Sequence, residues 1–301
     1  MFKKMVKSTY PPRLWALVGY PGSGKSTFAT KMAGPILAID ADHRFNEVLD
    51  LAGGDVLELS DSPADNVDAD RITAILAKNM PGAKVGTIVV DSLTAIITPL
   101  VVQAMQDKEA GRVKNLAAAF RTKALAMRQL QDAVTRWGTA CLWVYHLNDA
   151  RDEKGRELVK ATVSQTELAR LTRSINLQLE IVQDQAGKRG VKVVWARCGR
   201  DGLTLWDDSG TWTDMPERIE AAVYDGLSKA DQAEIEQRPS GAFPTPAAAI
   251  DWGLTQGAFE ALQHAKHAYD KLKADRQPKD AEQMADLWRA DVARRLAEAA
   301  A

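Results

Sequence analysis

The chain has 301 residues, 46% of them hydrophobic and 26% charged, with a formal net charge of -1. That apolar content suffices for one large or two modest cores and excludes wholesale disorder, while the charge balance leaves any contact with a polyanion to a local patch. The only cysteines, Cys141 and Cys198, lack metal-type spacing, and no signal peptide or long apolar span is visible, so the expected setting is reduced and cytoplasmic, away from membranes.

Met1 to Lys7 is short and basic and reads as a solvated tail. Leu14-Trp15-Ala16-Leu17-Val18 predicts a first strand, and it runs straight into Gly19-Tyr20-Pro21-Gly22-Ser23-Gly24-Lys25-Ser26-Thr27, a complete G-x-x-x-x-G-K-[ST] loop. Glycines in such a loop let successive backbone N–H groups curl round a β-phosphate. Lys25 has the length to reach the β- and γ-oxygens, and the Ser26 hydroxyl is a ligand for Mg2+. A helix expected over Thr27 to Met32 would point its N-terminus at the anion. Strand before and helix after make this a site for a nucleoside triphosphate.

Val-, Ile- and Leu-rich runs recur at 36–40, 55–59, 86–91 and 140–145 with helical stretches between them, which predicts an α/β fold with a mostly parallel sheet flanked by helices. The run Thr87-Ile88-Val89-Val90-Asp91-Ser92 ends in an acid, the pattern of a Walker B strand. Asp91 would then hold the Mg2+ shell through a water, opposite Ser26. Between 116 and 137 the apolar positions Leu116, Phe120, Ala124, Met127, Leu130, Val134 and Trp137 step by three or four, as one helical face does. Residues 108–136 also carry seven basic side chains (Lys108, Arg112, Lys114, Arg121, Lys123, Arg128, Arg136) against Glu109 and Asp132, so this helix is either a solvated charged face or a track for a phosphate backbone. Leu177 to Val182 and Val191 to Ala196 flank a polar, Gly-containing turn and predict an antiparallel hairpin.

The proline-rich stretch within 237–246 reads as a linker between a first domain, 1–236, and a helical module, 247–301. Thr245 with Pro246 makes a helix start, and Phe259, Leu262, Tyr269 and Leu272, then Met284, Leu287, Trp288, Val292 and Leu296, mark two further helices.

Three strings, Ile39-Asp40-Ala41-Asp42-His43, Ile88-Val89-Val90-Asp91-Ser92-Leu93-Thr94-Ala95 and Val191-Lys192-Val193-Val194-Trp195-Ala196-Arg197, resemble the RecA-like recombinase ATPases in order and wording. The short N-terminus and His146 look most like the small members from bacteriophages that act in recombination or single-strand annealing. The resemblance implies a RecA-like sheet with a late β-hairpin and a helical appendix, ATP hydrolysed with Mg2+, stimulation by single-stranded DNA, and a homo-oligomer, filament or ring, with ATP at a subunit junction. A phage protein of this kind works in the cytoplasm of its bacterial host. Asp42 stands where the family has the glutamate that activates water, one methylene shorter, with Asp40 as the other candidate. His146 stands at the usual polar γ-phosphate sensor. Arg197, or Arg200 close by, would reach the next subunit's nucleotide. Residues 147–160, with Arg151, Lys154 and Arg156, match the family's mobile second DNA loop, and Asp107 to Asn115, with Arg112 and Lys114 and with Arg121 beyond, its first. The alternative for 147–160 is an ordinary exposed β-hairpin or loop.

Two features depart from the family: Trp195-Ala196-Arg197 replaces two basic positions, and no polymerisation helix precedes residue 12. The strings Ala249-Ile250-Asp251-Trp252-Gly253 and His267-Ala268-Tyr269-Asp270-Lys271-Leu272-Lys273 also look like a helical module of phage recombination proteins, with Trp252, Tyr269 and Trp288 either stacking on bases, docking a protein partner or forming a core. Two other functional classes stay open. One is a nucleotide-gated replication or packaging accessory with little turnover. The other is a small-molecule kinase with an arginine lid over 148–173.

Overall fold

The apolar runs pair into one mixed sheet in the computed structural model, which describes residues 9–151, 157–161, 163–184, 187–225, 243, 245–259 and 261–300. Its strands are β1 (Leu14–Gly19), β2 (Ile36–Asp40), β3 (Val56–Glu58), β4 (Thr87–Asp91), β5 (Ala140–Arg151), β6 (Glu157–Ala161), β7 (Leu177–Gln183), β8 (Arg189–Ala196) and β9 (Thr204–Trp206). They lie in the order β3-β2-β4-β5-β1-β7-β8-β9, with β6 off this path on the far half of β5. From β3 to β7 every pairing is parallel, and β8, β9 and β6 join antiparallel. The late hairpin forms as its two runs predict.

Both faces of the parallel part are covered, which is why its strands read as unbroken apolar runs rather than alternating ones. The helices are α1 (Lys25–Ala29), α2 (Pro63–Val67), α3 (Ala69–Asn79), α4 (Leu93–Glu109), α5 (Leu116–Thr135), α6 (Gln165–Ser174) and α7 (Met215–Glu220). Ala16, Val18, Cys141, Trp143 and Tyr145 face one core, shared with Ile72, Ile96, Met127, Leu130 and Leu171 of α3 to α6. Trp15, Leu17, Leu142 and Val144 face the other, shared with Phe28 of α1, Trp212, and Met215 and Ile219 of α7.

One element differs from its expected form. Helix α1 starts at Lys25 rather than Thr27, because Gly24 at φ 96 turns the chain into it, and it ends at Ala29. The described residues of the polar segment after His146 are paired strand, as in its β-hairpin alternative, while 152–156 lie outside the described residues. Strand β5 continues to Arg151 and pairs antiparallel with β6, Leu147 opposite Ala161 and Arg151 opposite Glu157.

The chain divides into two compact units, Met1–Ser228 and Lys229–Ala301. Of the expected linker 237–246, residues 237–242 and 244 lie outside the described residues. The second unit holds α8 (Pro246–Thr255), α9 (Leu262–Arg276) and α10 (Ala281–Ala300). Thr245 caps α8 by accepting from the Ala248 N–H at 3.1 Å. Trp288 is wholly buried, donates its indole N–H to the Ala249 carbonyl at 2.7 Å, stacks on Phe259 and meets Tyr269 edge-on. Tyr269 is buried and Trp252 half-buried against Phe243. Tyr269 and Trp288 therefore form a core and are closed to base stacking, with Trp252 packed at its edge. Trp288→Ala is expected to cost this unit about 3–5 kcal/mol, seen in the full chain as early loss of helical circular dichroism in urea with the first unit's transition unmoved. Among the described residues no helix is long and apolar enough to cross a membrane.

Candidate active site

The phosphate loop joins β1 to α1 at the C-terminal edge of the sheet, and the register carries the other motif residues to that edge. Gly19 is the partner of His146 across β1 and β5, and Asp40 of Asp91 across β2 and β4. With β5 lying between β1 and β4, His146 stands between the loop and the Walker B acid.

The loop's own geometry suits a triphosphate. Gly22 and Gly24 have φ of 76 and 96, the left-handed region that favours glycine. A Cβ at Gly24 would lie 2.5 Å from the Arg189 guanidinium and 3.0 Å from the Trp212 indole nitrogen. The Lys25 ammonium is buried and donates to the Gly19 and Tyr20 carbonyls at 3.0 and 2.7 Å. Burial lowers its pKa against the pull of Asp91 and Asp42. The Ser23 hydroxyl is buried with no hydrogen-bond partner among the described residues. A buried cation resting on carbonyls and an orphaned hydroxyl are what an anion with several acceptor oxygens would satisfy.

Beside the loop, the Ser26 hydroxyl donates to Asp91 Oδ2 at 2.6 Å, so the two expected Mg2+ ligands are in direct contact. Asp91 is buried, and that burial pushes its carboxyl up to about 6 even though the Ser26 bond opposes the shift. Its backbone carbonyl accepts from the N–H groups of Ala41 and Asp42, which fastens the turn after β2 to the end of β4.

That turn separates the two candidate bases. Asp40 accepts from the backbone N–H groups of Arg44 and Phe45 at 3.1 and 2.9 Å, so it caps the 3-10 turn Phe45–Leu51. Asp42 instead faces His146, whose Nε2 donates to Asp42 Oδ2 at 3.2 Å. This bond, with one from Ser92, holds the Asp42 carboxyl below its ordinary range. His146 is itself tied to α4, its backbone N–H donating to the Thr94 hydroxyl at 3.3 Å.

The expected junction arginine is engaged within its own chain. Arg197 donates from Nε to the Ile175 carbonyl and from Nη2 to the carbonyls of Thr172 and Arg173, capping the C-terminal end of α6. Arg200 is exposed.

The basic stretch is thinner than its composition. Lys123 lies on the buried face of α5 and pairs with Glu167 of α6 at 3.0 Å, the two side chains 8% and 4% exposed, so it is unavailable to a polyanion. The helical period foretells this, since Ala119, Ala126, Leu130 and Ala133 share that buried face. Arg112 is exposed but pairs with Asp107, and Arg136 pairs with Asp132. Lys114, Arg121 and Arg128 are exposed, and Arg121 lines a cavity of about 540 Å3 between α5 and α6. Lys154 and Arg156 lie outside the described residues, as does the Arg151 side chain.

Two residues that the motifs do not mark also touch the loop. Trp212 donates from its indole to the Gly24 carbonyl at 3.0 Å, and Arg189 from Nη1 to the Ser23 carbonyl at 3.4 Å. Only the glycine at position 24 hinted that something presses there. A family model described as an AAA domain matches residues 12–197, more than half of the chain. No curated protein matches the chain.

Proposed function

The chain belongs to the AAA domain family of P-loop NTPases, and on that premise we propose that it is a RecA-like, Mg2+-dependent ATPase that binds single-stranded DNA in phage-type recombination or annealing. The observation that carries the reading is the convergence on one sheet edge of Lys25, the Ser26–Asp91 contact and the Asp42–His146 pair. A strand inserted between β1 and β4, with antiparallel strands added beyond β7, supports the RecA-like part.

With ATP bound, Lys25 leaves the two carbonyls for the β- and γ-oxygens, and the N–H groups of residues 22–26 line the phosphates. Ser26, with Asp91 through a water, would hold Mg2+, which would supply positive charge to the same oxygens. Asp42, kept ionised by His146 and Ser92, takes the proton of the attacking water, and His146 fixes which carboxylate oxygen faces it. Since Arg197 is committed to α6, Arg200 is the cation we assign to a neighbouring subunit's nucleotide in a homo-oligomeric filament or ring. Single-stranded DNA is assigned to the exposed Arg112, Lys114 and Arg121, with Arg151, Lys154 and Arg156 of the segment 147–160. The C-terminal unit, its aromatics engaged in its own core, is assigned to a protein partner.

ATPase assays with and without single-stranded DNA test the reading. Turnover that rises with DNA supports it, and no stimulation together with no DNA retained in the presence of a non-hydrolysable analogue would remove the DNA half. Asp42→Asn is expected to lower kcat by about a hundredfold with KM for ATP nearly unchanged. An unaltered kcat would place the base elsewhere. The short Asp42 side chain, already engaged by His146, favours one second reading, a nucleotide-gated accessory with little turnover. Tight ATP binding with negligible hydrolysis under every DNA condition selects it.

A further inference from the structure

The loop Asp207 to Asp214, which comes after β9, is built against the phosphate loop from outside. Asp207 is buried and accepts from the N–H groups of Ser209 and Trp212 at 3.0 and 3.1 Å, which folds this loop onto itself. Trp212 is wholly buried at φ 63, a left-handed conformation that bulky residues rarely hold unless their surroundings demand it. It sits edge-on to Phe28 of α1, with the Arg189 guanidinium 5.4 Å from its ring centroid. Arg189 is in turn fastened by donating from Nη2 to the Gly210 carbonyl at 2.7 Å.

The atoms these two side chains grip are informative. In a planar trans peptide the carbonyl and the following N–H point in opposite directions. The Ser23 carbonyl, held by Arg189, belongs to the peptide that carries the Gly24 N–H. The Gly24 carbonyl, which accepts from the Trp212 indole and also from the Phe28 N–H of α1 at 2.9 Å, belongs to the peptide that carries the Lys25 N–H. Fixing each carbonyl from behind therefore fixes the direction of a donor that faces the phosphates.

We propose that Arg189 and Trp212 are positioning residues of the phosphate loop, each aiming one backbone N–H at the bound nucleotide: Arg189 that of Gly24, Trp212 that of Lys25. They pre-orient the cradle, so its donors need not reorganise when nucleotide arrives. The inference rests on the nucleotide-binding reading of the loop.

The test uses the full chain labelled at glycine and lysine amide nitrogens, a non-hydrolysable ATP analogue, and the variants Arg189→Gln, Arg189→Lys and Trp212→Phe. In the unaltered chain the analogue should shift the Gly24 and Lys25 amide resonances. Arg189→Gln should diminish the Gly24 shift selectively and Trp212→Phe the Lys25 shift, each with binding weakened by up to about tenfold, the loss of one hydrogen bond. Arg189→Lys, which still reaches a carbonyl, should recover most of the affinity. Unchanged affinity and shifts in folded variants overturn the inference, and so does an equal loss at every loop amide accompanied by a lower Tm. If Trp212→Phe fails to fold, Arg189→Gln, at a half-buried position, decides the Arg189 assignment, and a Lys25 shift left intact in that variant shows that the second donor is held separately. Failure of the unaltered chain to bind the analogue would overturn the nucleotide-binding reading and the inference with it, whereas binding that every variant leaves intact overturns the inference only.

Discussion

Lys25→Ala abolishes nucleotide-dependent behaviour, with kcat falling by about a thousandfold or more and ATP binding lost in titration calorimetry. Lys25 is the one cation the loop itself supplies, it is buried, and it lies on the Gly19 and Tyr20 carbonyls, from which a γ-phosphate would draw it. Its removal leaves two carbonyls short of a donor but also takes away a desolvated charge, so the thermal melt of the empty protein should move little. Lys25→Arg is expected to fail as well, because a planar guanidinium does not reproduce a compact ammonium in so enclosed a place. Surviving turnover in the alanine variant, with a normal melt, would remove the phosphate-loop mechanism altogether.

Asp91→Asn separates stability from activity. Burial raises this carboxyl from 3.8 to about 6, so the folded state binds its proton more tightly than the unfolded chain does. A group shifted that way adds stability below its unfolded pKa and loses it as pH rises through the folded value. Near neutral pH the charged Asp91 therefore costs the empty protein up to about 3 kcal/mol. Asparagine keeps an oxygen for the Ser26 hydroxyl and carries no charge. The variant should melt several degrees higher than the unaltered chain at about pH 8 and lose ATP turnover, the trade expected of a functional buried acid. The difference in Tm should shrink as pH falls through about 6 and vanish near about 4. A gap that persists at about pH 4 would mean that packing rather than charge separates the two proteins.

Much of the fold was legible because the signals were local. An apolar run between turn residues makes a buried strand, and the glycines of Gly19 to Gly24 state their backbone needs outright. The site was legible as far as its motifs run, to Lys25, Ser26 and Asp91. What escaped depends on partners far apart in sequence. Nothing near Asp42 says that His146 will be its neighbour, and the choice between Asp40 and Asp42 turns on which one caps Phe45–Leu51. Arg189 and Trp212 act on backbone carbonyls, which carry no side-chain signature. Arg197 presented a charge, and its carbonyl partners on α6 became visible only in three dimensions. Lys123 is the instructive miss, because its helical position among buried neighbours was readable while its charge drew attention outward.

Strand β5 passes without a break from Ala140 through His146 to Arg151. Its middle is clamped between β1 and β4, and its end leaves that sheet to pair with β6 alone. The residue beside Asp42 and the paired end of β5 therefore lie on one continuous extended backbone, so the placement of His146 and the direction in which the strand leaves β1 and β4 are set together.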